Sequence, residues 1–255
     1  MDRLAFYRFL KRYIAPNVTH SQRLYRDALL AHLKTLPRWL DLGCGHQFTP
    51  DWAWVPDPDL LARLPRMIGV DGDFSSIKQH VSLRGRVLGN IEALPFAPAS
   101  FDLVTANMVM EHVREPESVL REVRRILAPN GVFLFHTPNL AYPLVFAGSL
   151  LPEPVKRGLI SFLDDRTEDD IYPTTYRTNT ISTVMHLAII SGFEIESCGA
   201  VASDALTANL GPLSAFELLW IRATQWDILA GLREDLIVVL RKPGDQTPVA
   251  TSAPQ

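Results

Sequence analysis

The stretch WLDLGCGHQF, residues 39–48, places two glycines around a cysteine, directly after an apolar run that contains one acid. Glycine has no Cβ, so it adopts positive φ easily and lets a ligand approach the main chain at contact distance. The pattern therefore predicts a strand followed by a ligand-binding turn. Several ligand classes use glycine turns, and the neighbouring residues must distinguish them.

The spacing after the turn separates three kinds of glycine loop. A dinucleotide-binding loop has the form G-x-G-x-x-G, in which the third glycine lets helix and strand pack closely. Gly43 and Gly45 fit this form, but Phe48 occupies the third position. A phosphate-binding P-loop needs G-x-x-x-x-G-K-[ST], and no such lysine follows. The two-glycine form suits a ligand that lies on the backbone without a phosphate group.

The rest of the chain predicts an α/β fold. Residues 2–35 have apolar residues at helical spacing, and from Arg38 onward short apolar runs alternate with longer amphipathic ones. Such alternation is typical of βαβ crossovers and a parallel sheet, here with about seven strands. The expected organisation is an N-terminal helical segment at 1–36, a main domain at 37–242 with an insertion at about 140–179, and a disordered tail at 243–255.

Four segments together resemble one family. LDLGCGHQ, GVDGD, GNIEALPFAPASFDLVTANMVMEHV and LREVRRILAPNGVFLFHTPN resemble, in order and spacing, the motifs of class I S-adenosylmethionine-dependent methyltransferases. The similarity is greatest to the small-molecule branch that includes ubiquinone and menaquinone methylases, and the HTPN and YPTTYR segments resemble a bacterial subgroup of it. The resemblance implies a Rossmann-like, seven-stranded, mostly parallel sheet with helices on both faces and an antiparallel last strand. It also implies S-adenosyl-L-methionine as cofactor.

The resemblance assigns roles to residues that match the motifs. Asp41 would hold the amino group of the cofactor, Asp71 would accept hydrogen bonds from the ribose hydroxyls, and Asn90 would reach the adenine amino group. A carboxylate at a strand end can accept two such bonds, which suits the ribose. The remaining residues expected along the cofactor are Gly43, Cys44, Gly45, Gly72, Ile91 and Asn107, with the Cys44 side chain as a small buried filler.

Two histidines are candidate catalytic residues. His112 follows the fourth strand near the expected methyl acceptor, and His136 lies at the carboxyl end of the fifth strand. Structural roles for both histidines remain open alternatives. The resemblance includes the E-x-x-E-H pattern of ubiquinone-type O-methyltransferases, in which both acids and the histidine can hold a metal. Met108 replaces the first acid here, so no metal site is expected. The insertion is expected to close over the substrate through Tyr172, Tyr176 and Arg177.

Composition limits the partners. A formal net charge of -3 and a pI of about 6.2 argue against nucleic-acid binding. Two cysteines far apart favour a reducing, cytoplasmic setting. The largely apolar stretches 140–152 and 205–221 are broken by prolines, so buried helices or an apolar substrate lid are expected rather than stable membrane insertion. The oligomeric state is left open.

The leading hypothesis is a methyltransferase acting on a small-molecule or amphipathic acceptor, through oxygen or nitrogen. The alternative is a protein of the same fold that binds the cofactor without catalysis. A nicotinamide dehydrogenase is disfavoured by Phe48 and by the EALPF…SFD run.

Overall fold

The computed structural model describes residues 3–33, 37–48, 58–63, 66–80, 82–163 and 172–244. Residues 34–36, 164–171 of the predicted insertion and 245–255 of the predicted tail lie outside the described residues. The helices are α1 (Arg3–Ile14), α2 (Ser21–His32), α3 (Pro58–Arg63), α4 (Phe74–Gln79), α5 (Pro116–Ile126), α6 (Pro143–Ser149), α7 (Glu153–Leu163), α8 (Ile181–Ile190) and α9 (Ser214–Ala223). The strands are β1 (Trp39–Leu42), β2 (Ile68–Asp71), β3 (Gly85–Leu88), β4 (Phe101–Asn107), β5 (Leu127–Pro138), β6 (Glu194–Val201) and β7 (Asp235–Arg241).

The seven strands form one sheet in the order β3-β2-β1-β4-β5-β7-β6. The pairs from β3 to β5 are parallel, whereas β7 is antiparallel to both of its neighbours, β5 and β6. The predicted Rossmann-like, mostly parallel sheet with an antiparallel last strand is therefore confirmed. This order brings the carboxyl ends of β1, β2, β4, β5 and β6 to one edge, which is where open α/β sheets bind ligands.

Apolar residues cover both faces of the sheet. Alternate residues of β4 and β5 point to opposite sides, so Val104 and Phe133 belong to one core cluster while Leu103 and Leu134 belong to another. The first cluster buries the apolar sides of α5 and α8, and the second buries that of α2. Each fully buried aliphatic or aromatic side chain contributes about 1.5–3 kcal/mol to folding.

Three segments differ from the sequence-based expectation. The N-terminal run forms two helices, because Pro16 and Asn17 follow the end of α1 in a turn. The apolar run 212–228, whose composition predicts one helix, is divided into a 3₁₀ helix (Ala208–Leu213), α9, and a second 3₁₀ helix (Asp227–Leu232), because Gly211 at φ +61° and Pro212 break it. The segment LAPNGV (127–132), whose Pro-Asn-Gly sequence predicts a turn before a strand, lies inside β5, where Asn130 takes φ +64°.

A third core cluster joins α1 to α9 through Tyr7, Leu218 and Ile221. Helix α6, in contrast, is less buried than the sequence predicts. The buried helix predicted within 140–152 is wrong for α6, which has no buried side chain and leaves Phe146 about half exposed.

Candidate cofactor and acceptor site

The turn after β1 has the open backbone that the two glycines predict. Gly43 and Gly45 take φ +62° and +58°, the left-handed region that side chains with a Cβ rarely adopt. A Cβ at Gly43 would lie 2.5 Å from Cγ2 of Val109, so the main chain passes too close to the segment after β4 for any other residue. Among the residues that the structure describes, a Cβ at Gly45 would meet no atom within 4 Å. The turn therefore packs tightly on one side and leaves bare main chain on the other.

Asp71, the last residue of β2, holds this turn in place. Its Oδ2 accepts a hydrogen bond from the main-chain N–H of Gly45 at 2.9 Å, and its Oδ1 accepts one from Asp73 N at 2.8 Å. Each carboxylate oxygen can accept more than one hydrogen bond, so both keep acceptor capacity. The carboxylate thus lies beside the bare backbone with room for a diol.

Asp41 is buried in the centre of β1, and strand register places Thr105 beside it. Thr105 Oγ1 donates to Asp41 Oδ1 at 2.5 Å and accepts from Trp39 Nε1 at 2.8 Å. Burial raises the pKa of Asp41 to about 7, the Thr105 hydrogen bond opposes the rise, and the charge of Asp71 adds to it. A buried carboxylate of this kind is stabilised by a cationic group, such as an ammonium.

Asn107 links β4 to the N-terminal helices. Asn107 Nδ2 donates to Gln22 Oε1 at 3.0 Å, and Gln22 Nε2 donates back to Asn107 Oδ1 at 3.3 Å. The same Oδ1 lies 2.9 Å from Nδ1 of His136, its neighbour on β5. An amide oxygen only accepts, so the assigned geometry has His136 donating from Nδ1.

His136 is buried rather than open to a ligand. The ring stacks on Tyr25 of α2 with centroids 5.6 Å apart, and its Nε2 lies 3.4 Å from Asp235 Oδ2 without hydrogen-bond geometry. In this position His136 orients the Asn107 side chain through the Nδ1–Oδ1 hydrogen bond. Gln22 was missed at the sequence level. Its one signal is a polar side chain on the buried side of α2, in line with Tyr25 and Leu29.

His112 lies in a 3₁₀ turn after β4 (Met110–His112) and faces the YPTTYR segment. Its Nδ1 is 2.8 Å from the carbonyl oxygen of Pro173, which can only accept, so Nδ1 carries a proton. The neutral ring then keeps a lone pair on Nε2, which is 3.7 Å from Glu111 Oε1. Tyr172 packs edge-on against the ring at 6.0 Å. The imidazole is thus held by one nitrogen and available at the other.

Glu111 connects the segment after β4 to β5 and to the YPTTYR segment. It is buried, its Oε2 accepts from Thr137 Oγ1 at 2.9 Å, and burial raises its pKa. Its main-chain oxygen accepts from Thr175 N at 2.7 Å and Tyr176 N at 3.1 Å. The last part of the insertion is therefore fastened to the segment after β4, beside His112.

The three predicted substrate residues have different surroundings. Tyr172 lies by His112, while Tyr176 is half-buried at φ +52° with Lys156 Nζ 4.8 Å from its ring centre. Arg177 is exposed at the surface. The structure thus brings Tyr172, but not Arg177, to His112.

The other four predicted cofactor residues lie in the segments that follow β1, β2 and β3. Asn90 is exposed and its Oδ1 accepts from Glu92 N at 2.9 Å, which is a turn interaction. Ile91 packs against the first core cluster, and Gly72 is exposed. Cys44 points its thiol at Gly69, and burial raises the pKa of that thiol to about 12, so its side chain fills space.

A polar cavity of about 430 Å³ opens at the same sheet edge, between the end of α1 and the start of α2. His20 lines the cavity. Its Nδ1 accepts a hydrogen bond at 3.1 Å from the main-chain N–H of Gln22, the residue whose side chain contacts Asn107. Asp204, which follows β6, closes the far side and bonds Lys11 and the Tyr7 hydroxyl. In the described ranges no three His, Cys, Asp or Glu side chains cluster closely enough to hold a metal ion.

Comparison with known proteins assigns this arrangement to a family. Residues 40–135, from β1 to β5, match the family described as "Methyltransferase domain". Over these residues the chain is a methyltransferase domain similar to those of S-adenosylmethionine-dependent methyltransferases. The matched residues include Asp41, Asp71, Asn107 and His112, whereas Gln22 and the YPTTYR segment lie outside the match.

Individual relatives resemble this methyltransferase domain over part of their length. A malonyl-[acyl-carrier protein] O-methyltransferase of Legionella pneumophila is 33% identical over 115 residues, which are 42% of this chain and 39% of that protein. The chain thus matches about two fifths of the relative's length. An S-adenosylmethionine-dependent methyltransferase from Mesorhizobium loti has a TM-score of 0.50 at 19% identity, covering 85% of this chain and 96% of that one. The [4+2]-cyclase SpnF has a TM-score of 0.53 at 16% identity, covering 88% and 82%. The two structures share the fold.

The methyltransferase domain offers groups that fit S-adenosylmethionine. Asp41 is a buried carboxylate suited to the amino group, Asp71 has acceptors for the ribose hydroxyls, and the Gly45 backbone is uncovered between them. None of the helices in the described part of the chain has the length and apolar character needed to cross a bilayer.

Proposed function

We propose that the protein transfers a methyl group from S-adenosylmethionine to an oxygen or nitrogen of a small-molecule or amphipathic acceptor. The observation that carries the proposal is the hydrogen bond from Gly45 N to Asp71 Oδ2, which sets bare main chain beside a carboxylate with free acceptor capacity. The cofactor, when bound, supplies an electrophilic methyl group on a sulfonium. The protein then has to align the acceptor and exclude water, and such positioning can lower a barrier by about 7–11 kcal/mol.

His112 is the proposed general base for a protonated acceptor. The Pro173 carbonyl fixes the proton on Nδ1 and leaves Nε2 to accept one from a hydroxyl or ammonium. Imidazole is the side chain most often used in this way. Glu111 lies on the Nε2 side, where its carboxylate stabilises the ring once it gains charge.

The name of one relative favours an oxygen atom as the methyl acceptor. Exposed apolar side chains on this chain favour an acceptor molecule that is amphipathic. The Legionella pneumophila relative is named as an O-methyltransferase. In this chain α6 and the start of α7 leave Leu144, Phe146 and Val155 exposed near the segment that faces His112. An acceptor with an apolar part and a reactive hydroxyl matches both features.

The test is methyl transfer followed by substitution of the base. Purified protein is incubated with tritium-labelled cofactor and fractionated small molecules and lipids, and labelled product is counted. We expect His112→Gln to reduce transfer by roughly 10²–10⁴-fold with affinity for S-adenosylhomocysteine unchanged. The matched control is His186→Gln on α8. Equal transfer by the His112 variant would remove it as the base.

The second candidate is cofactor binding without methyl transfer. The observation in its favour is that a [4+2]-cyclase shares this fold, so the fold alone does not fix the chemistry. Binding of S-adenosylhomocysteine without labelled product in any fraction would support this candidate. Absence of binding would remove both.

A further inference from the structure

The helices at the carboxyl edge expose large apolar side chains that a folded chain normally buries. Phe9 and Tyr13 on α1 are 50% and 66% exposed, and their rings touch at 4.9 Å. On and after α9, Phe216, Trp226 and Ile228 are 74%, 71% and 88% exposed. Large exposed apolar side chains on neighbouring helices of a folded domain are candidates for an interaction surface. We call Phe9, Tyr13, Phe216, Leu219, Trp226 and Ile228 the docking face.

The two parts of the docking face belong to neighbouring helices. The opposite sides of α1 and α9 meet in the third core cluster, so both helices are already anchored to the domain. At their ends, Arg222 Nη1 donates to the main-chain oxygen of Ile14 at 3.3 Å, next to Tyr13. The apolar side chains therefore project from a preformed support, and burying them costs little further ordering.

Charge on α1 indicates the kind of partner. Helix α1 contains four Lys and Arg side chains and no acid, in a chain whose net charge is -3. Lys11 is paired with Asp204. Arg3, Arg8 and Arg12 have no acidic partner among the described residues, and Arg8 and Arg12 are exposed beside Phe9 and Tyr13. Aromatic and aliphatic residues flanked by unpaired arginines are typical of helices that lie in the surface of an anionic bilayer.

We propose that the docking face binds the surface of an anionic lipid bilayer. A second copy of the chain fits less well, because it would add the same unpaired arginines to the contact and few exposed acids to neutralise them. On the α9 side of the docking face the exposed acid is Asp227, which lies between Trp226 and Ile228. Glu217, on α9, is buried. Lipid headgroups neutralise the arginines while the aromatic rings enter the interface.

Helix α1 connects the docking face to the polar cavity of the candidate site. Tyr7, on the inner side of α1, bonds Asp204, which also lines the polar cavity beside Gln22. The docking face and the Asn107 end of the site therefore share one edge of the sheet. An amphipathic acceptor could then reach the site from the lipid surface, a step that rests on the proposed function, whereas the binding itself does not.

Vesicle co-sedimentation of the full chain tests the proposal. We compare phosphatidylcholine vesicles with vesicles in which about one third of the lipid is phosphatidylglycerol. We expect partition to the anionic vesicles that falls as salt rises, and weak partition to the neutral ones. Absence of partition, or equal partition to both, would overturn the proposal. Failure of methyl transfer would leave this readout unchanged, so the two proposals fail separately.

Variants with matched controls locate the face. Phe216→Ser with Trp226→Ser should lower partition at least roughly tenfold, whereas Met185→Ser with Ile189→Ser, exposed on α8, should not. Arg8→Gln with Arg12→Gln should lower it roughly twentyfold, and Arg84→Gln with Arg121→Gln should not. Unchanged affinity for S-adenosylhomocysteine confirms folding. Equal losses in the controls, or a dimer in solution that Phe216→Ser with Trp226→Ser dissociates, would contradict the proposal.

Discussion

The main-chain N–H of Gly45 donates to Oδ2 of Asp71 at 2.9 Å, which ties the turn after β1 to the end of β2. One carboxylate thereby holds the shape of the glycine turn and lies beside its uncovered backbone. The two roles cannot be separated by removing the side chain, but they can be separated by changing its charge.

Asp71→Ala should weaken binding of S-adenosylhomocysteine by roughly 10–100-fold, since hydrogen bonds to a charged group contribute about 1.5–3 kcal/mol. Asp71→Asn keeps an acceptor for Gly45 but loses the charge, so its affinity should lie between the alanine variant and the parent. Titration calorimetry measures all three.

The control for Asp71 is Asp27→Ala, an exposed acid on α2 that pairs with Arg26 away from the turn. It should leave affinity within about twofold of the parent. Undiminished binding by Asp71→Ala would mean that the cofactor lies elsewhere.

The raised pKa of Asp41 predicts that cofactor affinity depends on pH. A bound ammonium favours the carboxylate form, so below a pKa of about 7 binding must displace a proton. Affinity for S-adenosylhomocysteine should therefore fall by roughly twentyfold between pH 7.5 and 5.5. Asp41→Asn should bind more weakly at pH 7.5 and show a flat profile over this range. An equally steep profile in Asp41→Asn would assign the proton to another group.

The same group affects stability with the opposite sign. The folded state holds the Asp41 proton more tightly than the unfolded chain, in which the pKa is near 3.8. Its contribution is thus most favourable below about pH 4 and is lost as the pH rises through 7. Because bound ligand offsets this loss, the ligand-induced rise in Tm should be larger at pH 7.5 than at pH 5.5. Scanning calorimetry at the two values checks the sign.

The sequence predicted the sheet and the cofactor side of the site, because both depend on local pattern. Strand–helix alternation and the glycine turn are readable over a few residues, as are acids such as Asp71 that end a strand. The acceptor side depends on contacts between distant parts of the chain. The Gln22–Asn107 pair spans 85 residues and the His112–Pro173 contact spans 61, and neither leaves a local pattern. The exposed face of α9 was missed because an apolar stripe does not reveal whether anything covers it.

The two glycines of the turn should respond differently to alanine. Gly43→Ala adds a Cβ 2.5 Å from Val109 and forces a left-handed alanine, so we expect a loss of about 2–4 kcal/mol in the free energy of unfolding. Gly45→Ala meets no neighbour and should cost about 1–2 kcal/mol. Its Cβ nevertheless enters the space assigned to the cofactor, so binding should fall by at least roughly tenfold. Denaturant unfolding and calorimetry measure the two effects.

Relief of the clash provides the control for Gly43. Val109→Ala removes the Cγ atoms that the new Cβ would meet, so the double variant should recover part of the stability that Gly43→Ala loses. No recovery would mean that the backbone conformation, rather than the contact, requires glycine at this position.

Gln22 should act on the cofactor through Asn107. Gln22→Ala removes the acceptor of Asn107 Nδ2, and we expect affinity for S-adenosylhomocysteine to fall by roughly three- to tenfold. Gln79→Ala, exposed on α4, is the matched control. A purely structural role of Gln22 would lower stability without this coupling, so the deciding measurement is a double-mutant cycle. If Gln22 acts by orienting Asn107, Gln22→Ala combined with Asn107→Ala should bind no more weakly than Asn107→Ala alone. Additive losses would show that the two side chains contribute separately, and the N-terminal helices would then support the fold without tuning the site.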